Sequence, residues 1–335
     1  MQHEITEIRR VFAPDGEVHT AGWARAPVFV YNEPLSKSAG KHGERDCYFL
    51  NNGEVSLYLS VENMGLEFAI KIAIADLRRG GVISDYVIKK IRLLKTGLPK
   101  SDINGEFLYS DKRVQLQITH TPTGRFLKGD FIDFAGYKNL YFNVVLQENR
   151  GDSLNMLAPF ERNRKYFYLK RFLPKFVAVG IIRVGGFEYQ LTESNGRAYF
   201  DRARFFKPHH HHYMRLGADC ILDGRRFSLC FAGRVGDNRY GNENCFFTEG
   251  KLHKLGNIGV KGNPKHPERP LFFSSSQPET DITFKPFTVR GAAMRAVMAG
   301  DTVVFGRIYG ELHHPDFPQP LIIENAQAHL VISEF

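Results

Sequence analysis

Hydrophobic and polar residues alternate with a period of two along much of this chain. Glu54-Val55-Ser56-Leu57-Tyr58-Leu59, Leu66 to Ile74 and Val114-Gln115-Leu116-Gln117-Ile118 each read as a strand with one face turned inward. Leu140 to Leu146 is denser in apolar residues and is expected to be a central strand. Asn51-Asn52-Gly53, Arg79-Gly80-Gly81, Asn104-Gly105 and Asn149 to Asp152 punctuate these segments as turns. Gly185-Gly186, Asp223-Gly224 and Glu249-Gly250 are placed for tight hairpins. Helical signals are few. Ala292 to Ala299 is the best short helix, and Val82 to Leu94 fits a helix and a strand equally. The pattern predicts an all-β protein of tandem antiparallel barrels or sandwiches with little helix. It does not point to a nucleotide-binding α/β fold, and no glycine-rich phosphate loop of either common type is present.

At 335 residues the chain exceeds the usual single-domain length. The expected division is an extended lead-in over 1–46, a first barrel-like half over 47–200 and a second over 201–335. The 28 Phe and 14 Tyr against 1 Trp reinforce the β reading. A plain aromatic core accounts for them, and an apolar cavity is the other reading. Lys+Arg at 45 against Asp+Glu at 36 give a net charge of +9, which raises nucleic acid or an anionic membrane as partners. The densest basic runs, Lys89 to Lys95 and Arg162 to Lys175, interleave with apolar residues and read as solvated strand faces. No nucleic-acid-binding motif accompanies them, so nucleic acid is not the expected partner. Cys47, Cys220, Cys230 and Cys245 lack metal-site spacing and suit a reducing compartment, although Cys220 and Cys230 could meet across a hairpin. The N-terminus has no apolar leader, and no run reaches the roughly 20 residues of a membrane helix. A cytoplasmic location is expected.

Asp201-Arg202-Ala203-Arg204 resembles the Asp-Trp-Gly-Arg signature of the domain of unknown function 2804 family (DUF2804). Asp223 to Phe227, then Asn242-Glu243-Asn244, then Gly250 to Leu255 follow that family's order of motifs. Glu4-Ile5-Thr6, Gly22 to Arg25 and Tyr31-Asn32 are similar to its N-terminal lead, and Tyr166 to Gly180 to its mid-chain strand pair. The chain departs from the family at Arg202, Ala203 and Asn242, where Trp, Gly and Thr are usual. His209-His210-His211-His212-Tyr213 replaces a Trp-rich stretch. The resemblance implies tandem calycin-like halves, distantly similar to lipocalin-like proteins of the hydroxyneurosporene synthase and AttH types. It also implies a site between or inside the halves.

Asp201 and Glu243 are the candidate catalytic carboxylates, because adding water to an apolar substrate, or cyclising it, needs a buried acid to protonate a double bond. The structural alternative pairs Asp201 with Arg202 or Arg204 and lets Glu243 cap a turn. Arg204, Tyr213, Tyr240, Asn242 and Asn244 are the candidate ligand-binding residues, and the polar Gly236 to Asn244 loop is the candidate site region. In a strand His209 and His211 share one face and could hold a transition metal with a third ligand from His253, His313, His314 or Glu311. Aromatic packing at a rim is the other account of that run. Tyr309 to His314 reads as structural closure of the second half. The functional expectation is a binder of a hydrophobic small molecule, lipid or isoprenoid-like. The alternatives are a hydratase, isomerase or cyclase on the same fold, and a metal-dependent cupin-like enzyme. A carrier of this kind has reason for transient membrane contact. The sequence specifies no cofactor and no oligomeric state.

Overall fold

The computed structural model describes residues 2–32, 42–64, 67–78, 82–91, 98–134, 138–160, 163–206, 212–233, 239–276, 278–298 and 300–334. Among them there is no helix, and therefore none long and apolar enough to cross a membrane. The chain folds into two tandem lipocalin-like barrels, each built from one curled antiparallel sheet. The first sheet holds thirteen strands among the described residues. Its main path runs from Val82–Ile91 through His42–Asn51, Arg197–Phe206 and Asn163–Val184 to Gly105–Ser110. The second holds ten, and its Leu321–Glu334 strand lies between His212–Leu222 and Asp301–Leu312.

The three hairpin turns form where expected. Gly185 and Gly186, Asp223 and Gly224, and Glu249 and Gly250 all adopt positive φ, the left-handed conformation that a tight two-residue turn demands. One expectation is corrected. Ala292 to Ala299 is no helix: Ala292–Ala293 and Arg295–Met298 are strands, and the latter pairs with Asp301–Leu312. There Ala296 and Met298 point inward while Arg295 and Val297 face out, so the two-residue period wins over alanine's helix preference. Cys220 and Cys230 do not oppose each other. Cys220 faces Phe227, Cys230 faces Cys245, and all four thiols are free. The ambiguous Val82 segment is a strand, Val82–Ile91.

Three apolar layers result. One fills the first barrel around Leu57, Ile72, Phe131 and Phe142. Another fills the second around Phe227, Leu229, Phe273 and Phe284. The third lies between the sheets and joins Phe49, Phe172 and Tyr199 of the first to Phe247, Phe305 and Val331 of the second. The 22-residue strand Asn163–Val184 separates the first layer from the third. Because side chains alternate, Leu173 packs into the first barrel while Phe172 packs against the second. The N-terminal segment packs against this frame. Its Gly22–Ala24 strand pairs with Leu154–Phe160, and Phe12 packs on Phe167. Gln2 and His3 reach across to the carbonyls of Leu255 and Tyr240, in loops of the second barrel.

Phe172→Ala empties a fully buried position in the inter-sheet layer and is expected to cost about 3–5 kcal/mol. Urea unfolding should show the loss in a single transition, since the layer it weakens belongs to both barrels.

Candidate functional site

Two polar centres lie on opposite faces of the Asn163–Val184 strand. The first is sealed between the sheets. Lys170, on the same face as Phe172, places its ammonium between Asp201 of the neighbouring strand and Glu243 of the second barrel, the latter at 3.2 Å. Arg215, from His212–Leu222, contacts Asp201 from the other side. All four side chains are essentially inaccessible, with relative exposures of 0–2%. Two positive charges therefore meet two negative ones. Burial of these ions is tolerated only because they are paired. The Tyr213 hydroxyl donates to Glu243 at 3.1 Å, and the Cys230 thiol lies 3.9 Å from the same carboxylate. Arg45 stacks over the Tyr213 ring and leads to a second buried group. There Lys71 bridges Glu62 at 2.8 Å and Asp301 at 2.5 Å. Burial alone would pull Lys71 down, but these two carboxylates carry it above the ordinary lysine value.

The sequence-based carboxylates are thus brought together across the two barrels, with Lys170 as their common partner. Arg202 and Arg204 are not partners of Asp201, because they project from the other face of their strand. Asp201 contacts two cations, whereas Glu243 contacts one and has the Tyr213 hydroxyl and the Cys230 thiol beside it. Lys170 and Arg215 were not anticipated. The run Arg162 to Lys175 reads as a solvated face, yet Lys170 is fully buried. The available signal was parity: Lys170 alternates with Tyr168 and Phe172, on the apolar side of the strand.

Asn242 and Asn244 build a cage instead of lining a cavity. Lys254 donates to Asn242 Oδ1 and to the carbonyls of Asn244 and Leu255. Both asparagines also donate to the Gly256 carbonyl, and Trp23 lies beneath the ammonium. Tyr240 is exposed, and Gly236 to Asn238 lie outside the described residues.

The second centre is a chamber of about 350 Å³ in the first barrel, beneath the N-terminal lead. Pro27, Phe29, Val30 and Tyr31 form its roof, and Ile103 and Leu169 add apolar wall. Its other side is cationic: Lys100, Arg171, Arg202 and Arg204. Behind them Asp46 accepts from Arg202 at 2.7 and 3.0 Å and from Arg204 at 2.9 Å. Burial would raise the Asp46 pKa, but the two guanidinium groups hold it well below the carboxylate range. Deeper in the same barrel, His120 meets the Tyr48 hydroxyl at 2.6 Å. Burial, reinforced by Arg125, lowers its pKa to about 3. Of the candidate ligand-binding residues, only Arg204 reaches this chamber.

His209 and His211 lie outside the described residues. Among the described ones, His253, His314 and Asp316 bring three donor atoms within 4.8 Å of one another, as do Asp15, Glu17 and His19 on the N-terminal lead. Both His253 nitrogens are already engaged, by Thr248 at 2.8 Å and Asp316 at 2.7 Å. His313 lies apart, 3.7 Å from Glu311 on an exposed turn. Burial raises the thiols of Cys220, Cys230 and Cys245, which makes them poor nucleophiles.

The profile of the family described as domain of unknown function (DUF2804) matches residues 2–326, and the chain belongs to this family. Comparison with curated proteins gave no match. Among solved structures, CghA with Sch210972 is similar at a TM-score of 0.55 and 9% identity, covering 88% of this chain and 89% of that one. Kievitone hydratase from Nectria haematococca is similar at 0.53 and 12%, covering 97% and 98%. An AttH-type protein from Nitrosomonas europaea reaches 0.47 at 10% identity, covering 92% and 98%. At these identities the likeness is one of fold.

Asp201→Asn leaves Lys170 and Arg215 short of a charge and should cost about 3–5 kcal/mol. Tyr213→Phe removes one hydrogen bond to a carboxylate and should cost about 1.5–3 kcal/mol. Chemical denaturation of the two variants checks that order. Acid should also destabilise the protein. His120, at about 3, and His329, held well below its usual value by burial and then by Arg215, take up protons only on unfolding. The unfolded chain therefore binds more protons below pH ~6.5, and stability falls there by about 1.4 kcal/mol per unit for each histidine. His120→Gln should make that acid limb shallower in pH-dependent unfolding.

Proposed function

We propose that this DUF2804 protein binds a small organic molecule in the chamber beneath its N-terminal lead. The observation that carries the reading is the chamber itself: about 350 Å³, roofed by Phe29, Val30 and Tyr31 and floored by arginines. Its volume falls within the range of small-molecule sites, and apolar walls with a few convergent polar groups are what such sites use. Among the described residues, the middle of each barrel holds a core of buried apolar side chains. Similarity of fold supports the class of ligand. CghA is seen with Sch210972, and kievitone hydratase is named for a small molecule. The apolar body of the ligand would lie against Pro27, Phe29, Val30 and Ile103, and Arg204 would face its polar end.

A second reading, a hydratase, isomerase or cyclase, is favoured by the surroundings of Glu243. A buried carboxylate beside the Tyr213 hydroxyl and the Lys170 ammonium can pass a proton without contact with water. Glu243 is the better placed of the two carboxylates, because the Tyr213 hydroxyl adjoins it while Asp201 is engaged by two cations. This chemistry requires a substrate between the sheets, on the far side of the Asn163–Val184 strand from the chamber.

Organic-solvent extraction of gently purified protein, followed by mass spectrometry, tests the first reading. One enriched compound is expected from the natural chain and less or none from Ile103→Trp, which sets a bulkier ring at the chamber wall. Identical extracts from both would move the ligand elsewhere. For the second reading, Glu243→Gln should retain a compound differing from the natural chain's by one water or by a shifted bond. An unchanged compound would remove Glu243 from the chemistry.

A further inference from the structure

We infer that the ligand of this chamber is an organic anion, an apolar body ending in a carboxylate or a similar oxyanion. The inference rests on the chamber being the binding site, and it specifies what binds there. Among the charged side chains that face the chamber from its basic side, Lys100, Arg171, Arg202 and Arg204 outnumber the one lining carboxylate, Asp102. Asp46 compensates Arg202 and Arg204 from behind, on the side away from the cavity, and Glu44 lies 3.4 Å from Arg204.

Arg171 is the sharpest case. Its guanidinium contacts Asp102, and its side chain is only 15% exposed. Its Nε is buried with no hydrogen-bond partner in the described structure. A buried donor without an acceptor is unfavourable, and the guanidinium that carries it lines the chamber. Burial, and then the neighbouring Arg202, lower the Arg171 pKa to about 10. Planar guanidinium groups present paired N–H donors, and the ligand group that matches them is a two-oxygen anion. The apolar roof argues against a bare inorganic ion, because Phe29, Val30 and Ile103 would gain nothing from one. An amphiphilic acid satisfies both surfaces at once.

Two dyes that differ by one sulfonate supply the test. 1-Anilinonaphthalene-8-sulfonate should bind saturably, one per chain, about tenfold or more tighter than neutral N-phenyl-1-naphthylamine, as expected for one to two charge-assisted hydrogen bonds. Fluorescence titration reads both affinities. The charge-neutral pair Arg171→Gln with Asp102→Asn should bring the ratio towards one while leaving the neutral dye unchanged. Lys100→Gln, nearer the surface, should reduce it severalfold and serves if the pair does not fold. Equal affinities in the natural chain, or a preference that survives both variants, would overturn the anion inference. The chamber reading would still stand if Ile103→Trp weakened both dyes. Binding that ignores Ile103→Trp would instead sink the chamber itself.

Discussion

The ion pairs that Lys170 makes with Asp201 and Glu243 hold the architecture together. Asp201 belongs to the first sheet and Glu243 to the second, so one ammonium is shared by two barrels. With Arg215 the four charges cancel, and with Arg45, Lys71, Glu62 and Asp301 the balanced pattern extends along the inter-sheet layer. Such a layer gains little over an apolar one in net stability, but any alternative register of the two sheets would strand a buried charge at a cost of several kcal/mol. Apolar contacts such as Phe172 with Phe247 attract the sheets, and the ions fix how they meet.

That constraint explains why polar chemistry appears on two faces of one strand. Lys170 and Arg171 are adjacent in sequence and point to opposite sides. The inner side is closed and charge-balanced. The outer side opens on the chamber, where lining cations exceed lining anions and the lead supplies an apolar roof. The first has the properties of a lock and the second those of a receptor. Reading the chamber as the ligand site follows from this contrast. Glu243 adjoins a tyrosine hydroxyl as well as the shared lysine.

The strands, their hairpins and the two-barrel frame were legible because alternation and turn residues are local signals. Asp223-Gly224 and Glu249-Gly250 form their turns with the positive φ their residue types favour. Ala292 to Ala299 misled because alanine content suggested a helix, where the pairing of Arg295–Met298 with its neighbour decided the matter. Asp201 and Glu243 were identified by motif, but their partners were not, since Lys170 sits inside a basic run and only its parity marks it as buried. Asn242 and Asn244 carried the right polarity for a site and are spent on caging Lys254. The chamber could not be read at all. It exists only after the lead, remote in sequence, closes over Arg171, Arg202 and Arg204.

Hydrogen–deuterium exchange of the protein with and without saturating 1-anilinonaphthalene-8-sulfonate tests the division between lock and receptor most directly. The account predicts slowed exchange in 27–31 and 98–103, with Cys245–Thr248 and the rest of the second barrel unchanged. Protection centred on Cys245–Thr248 and His212–Leu222, with the lead unaffected, would place the ligand between the sheets and contradict it.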